Sequence, residues 1–251
     1  MRLNPCPLIA LLALMAFSAL VSAQGVPDPY RVYLRSGAFT PSSEISSVAL
    51  SSFNRNTARS SGRAMALMQF TQLPGKAERQ LLLQNGIALL DYIPQNTFVI
   101  SYTGDLQPAL MQQLKVRAVT ALTPQQKMDP QFAAGIIPSR SVTIAGTVDV
   151  QISFPYVFSA AEVEANLKAL NFDILPSLFR DYRILSVRLS SARISELAAL
   201  PYVEYVQPAP GPDQLLNNKS EVNARSNVLR SSLPGGRNLT GNGVVIGIGD
   251  D

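Results

Sequence analysis

Histidine is absent from all 251 residues, and cysteine occurs once, at Cys6. Without histidine, no Ser-His-Asp or Cys-His constellation can be completed within these residues, and the usual zinc sites lose their commonest ligand. Charge is sparse as well: 21 basic side chains against 17 acidic ones leave +4, dispersed along the chain. That balance is too small and too scattered for a nucleic-acid partner. A long apolar run occurs at the start, where Pro7 to Val21 follows Arg2 without a charge and ends at the small residues of Val21-Ser22-Ala23. The run falls short of the roughly 20 apolar residues of a membrane span, and its small-residue exit reads as a signal peptide over residues 1–23. The expected location is secreted or cell envelope, with no stable membrane span. Cys6 precedes the apolar run and leaves with it, so the mature chain is expected to have neither a disulfide nor thiol chemistry.

What is present describes a folding chain, because 47% of the residues are hydrophobic and 15% charged, enough for a sizeable core. Tyr30 to Phe39 has some strand character, and Pro41 to Gly62 runs through serine, asparagine and arginine with little periodicity; residues 24–62 read as an N-terminal spacer. From Arg63 the pattern alternates: strand Ala64–Phe70, helix Lys76–Gln84, strands Ile87–Ile93 and Thr97–Tyr102, helix Leu106–Leu114 and strand Val116–Leu122. The order is β-α-β-β-α-β over residues 63–124.

After a linker at 125–141 the same order returns over 142–208, with strand Thr147–Phe154, helix Ala160–Leu170, strands Phe172–Leu178 and Arg183–Leu189, helix Ala192–Leu200 and strand Tyr202–Gln207. Six positions match at a constant offset of 84: Glu78 with Glu162, Leu83 with Leu167, Ile100 with Ile184, Leu110 with Ile194, Val119 with Val203 and Pro124 with Pro208. These matches suggest an internal duplication. Val148, Val150, Ile152 and Phe154 alternate with Asp149, Gln151 and Ser153, which predicts one apolar and one wet face for that strand. Ser159 and Glu162 form a capping-box pattern, with Val163, Leu167 and Leu170 on one side of the helix that follows. Ile194, Leu197 and Ala198 share a side in the second helix. The expected fold class is α+β: two tandem ferredoxin-like modules, each with two helices over one face of a four-stranded antiparallel sheet and the other face free for a partner. This fold hosts many functions and does not choose among them.

Ala209-Pro210-Gly211-Pro212 breaks the pattern and opens a processing or linker region over 209–234. Residues 235–251 then read Gly235-Gly236-Arg237-Asn238-Leu239-Thr240-Gly241-Asn242-Gly243 and Val244-Val245-Ile246-Gly247-Ile248-Gly249-Asp250-Asp251. A glycine-rich loop enters an apolar run that suits a buried parallel strand, with a carboxylate at its C-terminal end, where open α/β sheets gather catalytic groups. A dinucleotide-binding loop is the rival, but its glycines must follow a strand and open a helix, whereas Gly241 and Gly243 precede the strand.

Leu239-Thr240-Gly241-Asn242-Gly243-Val244, the apolar strand and Asp250-Asp251 together resemble the start of a subtilisin-type catalytic domain. The resemblance implies that Asp250 is the triad aspartate and that residues 235–251 hold the first strand of an incomplete α/β domain. The triad order of aspartate, histidine, serine, for which subtilisin is a standard example, accounts for the missing histidine. Such an aspartate holds the histidine ring in its tautomer and stabilises the imidazolium during serine attack. Leu197-Ala198-Ala199-Leu200-Pro201-Tyr202-Val203-Glu204-Tyr205-Val206-Gln207-Pro208 resembles the last helix and strand of subtilisin propeptides, which fold as ferredoxin-like domains immediately before the enzyme. The implied partner is the chain's own catalytic domain, which the propeptide helps to fold and then blocks; peptides and proteins are substrates of the full enzyme. The chain itself calls for no cofactor and no metal, and any calcium would belong to the full-length protease. The other reading is a free-standing secreted inhibitor or binding module built from two ferredoxin-like domains.

Overall fold

The computed structural model describes residues 28–211 and 227–245, which fall in two compact units, one through Ala209 and one from Pro210. The first begins with a hairpin, β1 (Val32–Leu34) and β2 (Gly37–Phe39), and then a helix, α1 (Ser47–Asn56), where the sequence reads as spacer. Ser46 caps α1 by accepting from the Ala49 amide at 3.1 Å. Leu50 is buried and Phe53 packs against the same core. The Asn54 amide both donates to the Leu106 carbonyl and accepts from the Leu106 N–H, each at 3.1 Å. Residues 30–62 are therefore part of the first module, not a spacer beside it.

That module continues through β3 (Arg63–Phe70), α2 (Lys76–Gln84), β4 (Ile87–Ile93), β5 (Thr97–Thr103), α3 (Pro108–Gln113) and β6 (Val116–Thr120). Ala64, Ala66, Met68 and Phe70 of β3 are all buried on one side, as the two-residue period of a strand requires, and Leu82 of α2 and Met111 of α3 share their core. The strands are antiparallel in the order β4-β5-β3-β6. Gly86 turns the chain from α2 into β4 at φ +73°, and a Cβ there would meet the Thr103 hydroxyl at 2.5 Å.

The second module holds β7 (Val148–Ser153), α5 (Ala160–Ala169), β8 (Asp173–Leu175), β9 (Ile184–Leu189), α6 (Ile194–Ala199) and β10 (Tyr205–Pro208). Its antiparallel order is β10-β7-β9-β8. Counting strands within each module, both sheets run 4-1-3-2, with a helix after the first strand and another after the third. Val163 and Leu167 of α5 and Ile194, Leu197 and Ala198 of α6 are buried as expected, whereas Leu170, expected beside the first two, caps α5 and is exposed. Ser159 accepts from the Glu162 N–H at 3.2 Å, but the return bond of a capping box is not made and Glu162 Oε1 has no hydrogen-bond partner among the described residues. β8 is shorter than its apolar run suggests, because Pro176 follows Leu175 and the chain leaves the ladder.

The presumed linker is also part of the fold. A 3-10 turn (Gln125–Lys127), the short helix α4 (Pro130–Ala133) and a second 3-10 turn (Ser139–Ser141) fill it, and Met128 and Phe132 lie in the second module's core. Met128 forms a parallel bridge with Val206, and the Asp129 N–H donates to the Val206 carbonyl at 2.8 Å. This strip covers the outer edge of β10. The 84-residue offset matches topology better than residues: Leu83 is exposed where Leu167 is buried, and Ile100 lies in its core whereas Ile184 pairs with Ser153 on the opposite face of its sheet.

Neither outer sheet face is freely open. In the first module, Gln69 is 1% exposed. Its amide donates to the Tyr30 and Gln95 carbonyls at 3.0 and 3.1 Å, and its oxygen accepts from Arg117 at 2.7 Å. Arg117 also donates to the Pro41 carbonyl and lies 4.1 Å from the Tyr30 ring centre. The N-terminal segment is thereby pinned across the sheet. In the second module, Asp149 and Gln151 are buried although they point away from the helices. Arg188 and Thr143 enclose Asp149, and Gln207 donates to Gln151 at 3.2 Å. The expected wet face is therefore polar but largely closed along β7.

Candidate functional site

Asp250 lies outside the described residues, as do residues 1–23, where a signal peptide is expected, and residues 246–248 of the expected strand. The unit from Pro210 is described over part of its length. In it α7 (Asn227–Arg230) is followed by a loop that folds back on it, with the Arg237 and Leu239 N–H groups donating to the Val228 and Leu229 carbonyls at 3.0 and 2.7 Å. Gly236 is needed there, since a Cβ would stand 2.0 Å from the Ser231 carbonyl oxygen. The Thr-Gly-Asn-Gly-Val stretch turns at Gly241, whose carbonyl accepts from the Val244 N–H at 3.0 Å. Val244 and Val245, the start of the expected strand, are exposed and unpaired in any sheet.

The second module carries a groove of about 400 Å³ on its outer face. Gln151, Ser153, Tyr205 and Gln207 form its floor, and the tip of the β1–β2 hairpin, Leu34 and Arg35, forms a wall. Ser36 donates to the Gln126 carbonyl at 2.9 Å, and the Arg35 guanidinium lies 5.4 Å from the Tyr205 ring centre. The hairpin tip thus reaches from the first module onto the second. Large exposed apolar side chains collect at one end of this sheet instead, at Tyr156 after β7 and at Leu178, Phe179 and Tyr182 between β8 and β9.

Chemistry that the sequence does not announce sits at the seam between the modules. Met65, Leu67, Ile93, Val99 and Leu122 wall an apolar cavity of about 280 Å³ that also receives Asp91, Lys127 and Glu204. Lys127 additionally lines a second cavity of about 380 Å³ beside α1. Only 9% of Lys127 is exposed, and its ammonium donates to the Leu200 carbonyl at 3.0 Å. Burial, opposed by the Glu204 charge, lowers its pKa to about 8. Burial first, and then the Asp91 charge, raise the Glu204 carboxyl to about 7 against the attraction of Arg183 and Lys127. The three charged residues come from β4, from the 3-10 turn before α4, and from the approach to β10. No local motif joins them, and a buried lysine between Pro124 and Pro130 gives no sign of itself in sequence.

Among the described residues no group of three potential ligands is placed to hold a metal ion, and no helix is long and apolar enough to cross a membrane. A family model for a domain of unknown function (DUF8729) matches residues 33–123. The match starts inside β1 and ends just after β6, so it treats the hairpin, α1 and the first module as one piece. No curated protein and no solved structure matches the chain.

Proposed function

We propose that these residues are the N-terminal part of the precursor of a secreted subtilisin-like serine endopeptidase: a signal peptide over 1–23, two ferredoxin-like propeptide-type modules and the start of a catalytic domain with Asp250 as its triad aspartate. The observation that carries the reading is an adjacency. A 4-1-3-2 sheet with its two helices on one side runs out through Pro208 towards Leu239-Thr240-Gly241-Asn242-Gly243-Val244 and the apolar stretch ending in Asp250. The modules act as intramolecular chaperone and inhibitor of that catalytic domain. The tail after β10 enters the cleft as an added strand, held by backbone hydrogen bonds. A contact of ordinary size, around 800 Å² per partner, stabilises the folded enzyme by mass action.

The reading is tested first on the encoding DNA. In-frame motifs with a histidine and then a serine beyond codon 251 are expected; an immediate stop would favour the free-standing inhibitor instead. The second test adds the chain in trans to the mature enzyme. Saturable inhibition is expected, and its absence would remove the propeptide assignment.

A further inference from the structure

Most buried charges are matched by a hydrogen-bonded counter-charge, because an unpaired ion in a half-dry site is costly. The seam departs from this pattern. Lys127 gives its hydrogen bond to a neutral carbonyl, and the half-buried Glu204 carboxylate has no hydrogen-bond or ion-pair partner among the described residues, with the exposed Asp91 carboxylate beside it. All three border one apolar cavity formed jointly by β3, β4 and β5 of the first module and the approach to β10 of the second. Glu204 also lines the groove beneath the hairpin tip, where Arg35 is stacked on Tyr205.

We propose that this seam is a proton-operated latch between the two modules, closed when the Glu204 carboxyl is neutral and loosened when it ionises. The charged and titratable groups around Glu204 come from each element packed there: Asp91 from β4, Lys127 from the 3-10 turn, Arg183 from the turn before β9, Arg35 from the hairpin and Tyr205 from β10. Ionisation puts a charge at a cavity walled by methionine, leucine and isoleucine, close to the exposed Asp91 carboxylate that also borders it. The two cations offset this only in part, since Lys127 directs its hydrogen bond to Leu200 and the Arg183 charge is exposed to solvent. Water entering to solvate the charge separates Met65 and Leu67 from the second module, while each module's own core stays intact.

The sign follows from the displaced titrations. Glu204, raised to about 7 from 4.5, stabilises the seam fully below its unfolded value, and this contribution is lost as pH rises to about 7. Lys127, lowered to about 8 from 10.5, adds stability only as pH climbs past 8. The seam is therefore weakest between about pH 7 and 8 and tight in mild acid.

Hydrogen exchange of the full chain, corrected for intrinsic rates, tests the latch. Amides of 63–67, 91–93 and 200–206 are expected to be protected at least about tenfold better at pH 5.5 than at pH 7.5, with those of β7 and β9 unchanged. Glu204→Gln, isosteric and neutral, should hold the acid level of protection at both pH values. Asp91→Asn should keep the transition but move its midpoint to lower pH, an effect that a packing role would not produce. Seam protection that is independent of pH, or a midpoint unmoved by Asp91→Asn, overturns the proposal even if Glu204→Gln does not fold.

Discussion

Two single residues show how far the fold depends on local chemistry. At Gly86 a side chain would suffer both the left-handed backbone and a clash with the Thr103 hydroxyl. Gly86→Ala should therefore lower stability by about 1–2 kcal/mol, measured by urea unfolding, and Thr103→Ala in the same chain should recover the steric part alone. Asp149 makes the opposite case, a charge that is wanted. Arg188 donates to both its oxygens at 2.6 and 2.8 Å and Thr143 donates at 2.6 Å, and these bonds, Arg188 foremost, hold its carboxyl below the usual range. A depressed carboxylate stabilises above its unfolded pKa, and that contribution disappears as pH falls through the folded value. Asp149→Asn should accordingly flatten the acid limb of the melting-temperature profile below about pH 4.

Elements were legible in proportion to how much of their stability is written along their own length. Lys76–Gln84 and Ile87–Ile93 occur with the bounds that their periodicity predicts, because an apolar stripe, an acidic first turn and a following glycine act locally. α1 escaped because serine and asparagine, which fill much of it, are poor helix formers; its support is tertiary, from Leu50, Phe53 and the paired Asn54 bonds to Leu106. Asn54→Ala should remove that support, costing about 1–3 kcal/mol by leaving both Leu106 backbone groups unmatched, and should speed amide exchange throughout α1 before global unfolding. The seam escaped for a related reason: Asp91, Lys127 and Glu204 are far apart in sequence and each alone is an ordinary surface-type residue. Asp250, proposed from its flanking pattern alone, lies outside the described residues.

At the scale of the whole molecule, the 251 residues are expected to show no peptidase activity, since no histidine is available to any triad. A purified chain that hydrolysed peptides and lost that activity on Asp250→Asn would contradict this. The modules, moreover, do not part where their β-α-β-β-α-β patterns do. A fragment cut to 142–208 lacks Met128 and Phe132 and bares the outer edge of β10, so it should melt well below one that begins at 125. The same strip sets an order of events during synthesis. Residues 125–137 leave the ribosome while the strands they belong with are still untranslated. At about 5–20 residues per second, Met128 and Phe132 wait for Val206 on the order of several seconds. In that interval a nascent chain that has already completed its first module presents two bare apolar side chains, which makes this short strip, rather than either sheet, the natural point of attention for a holdase during synthesis.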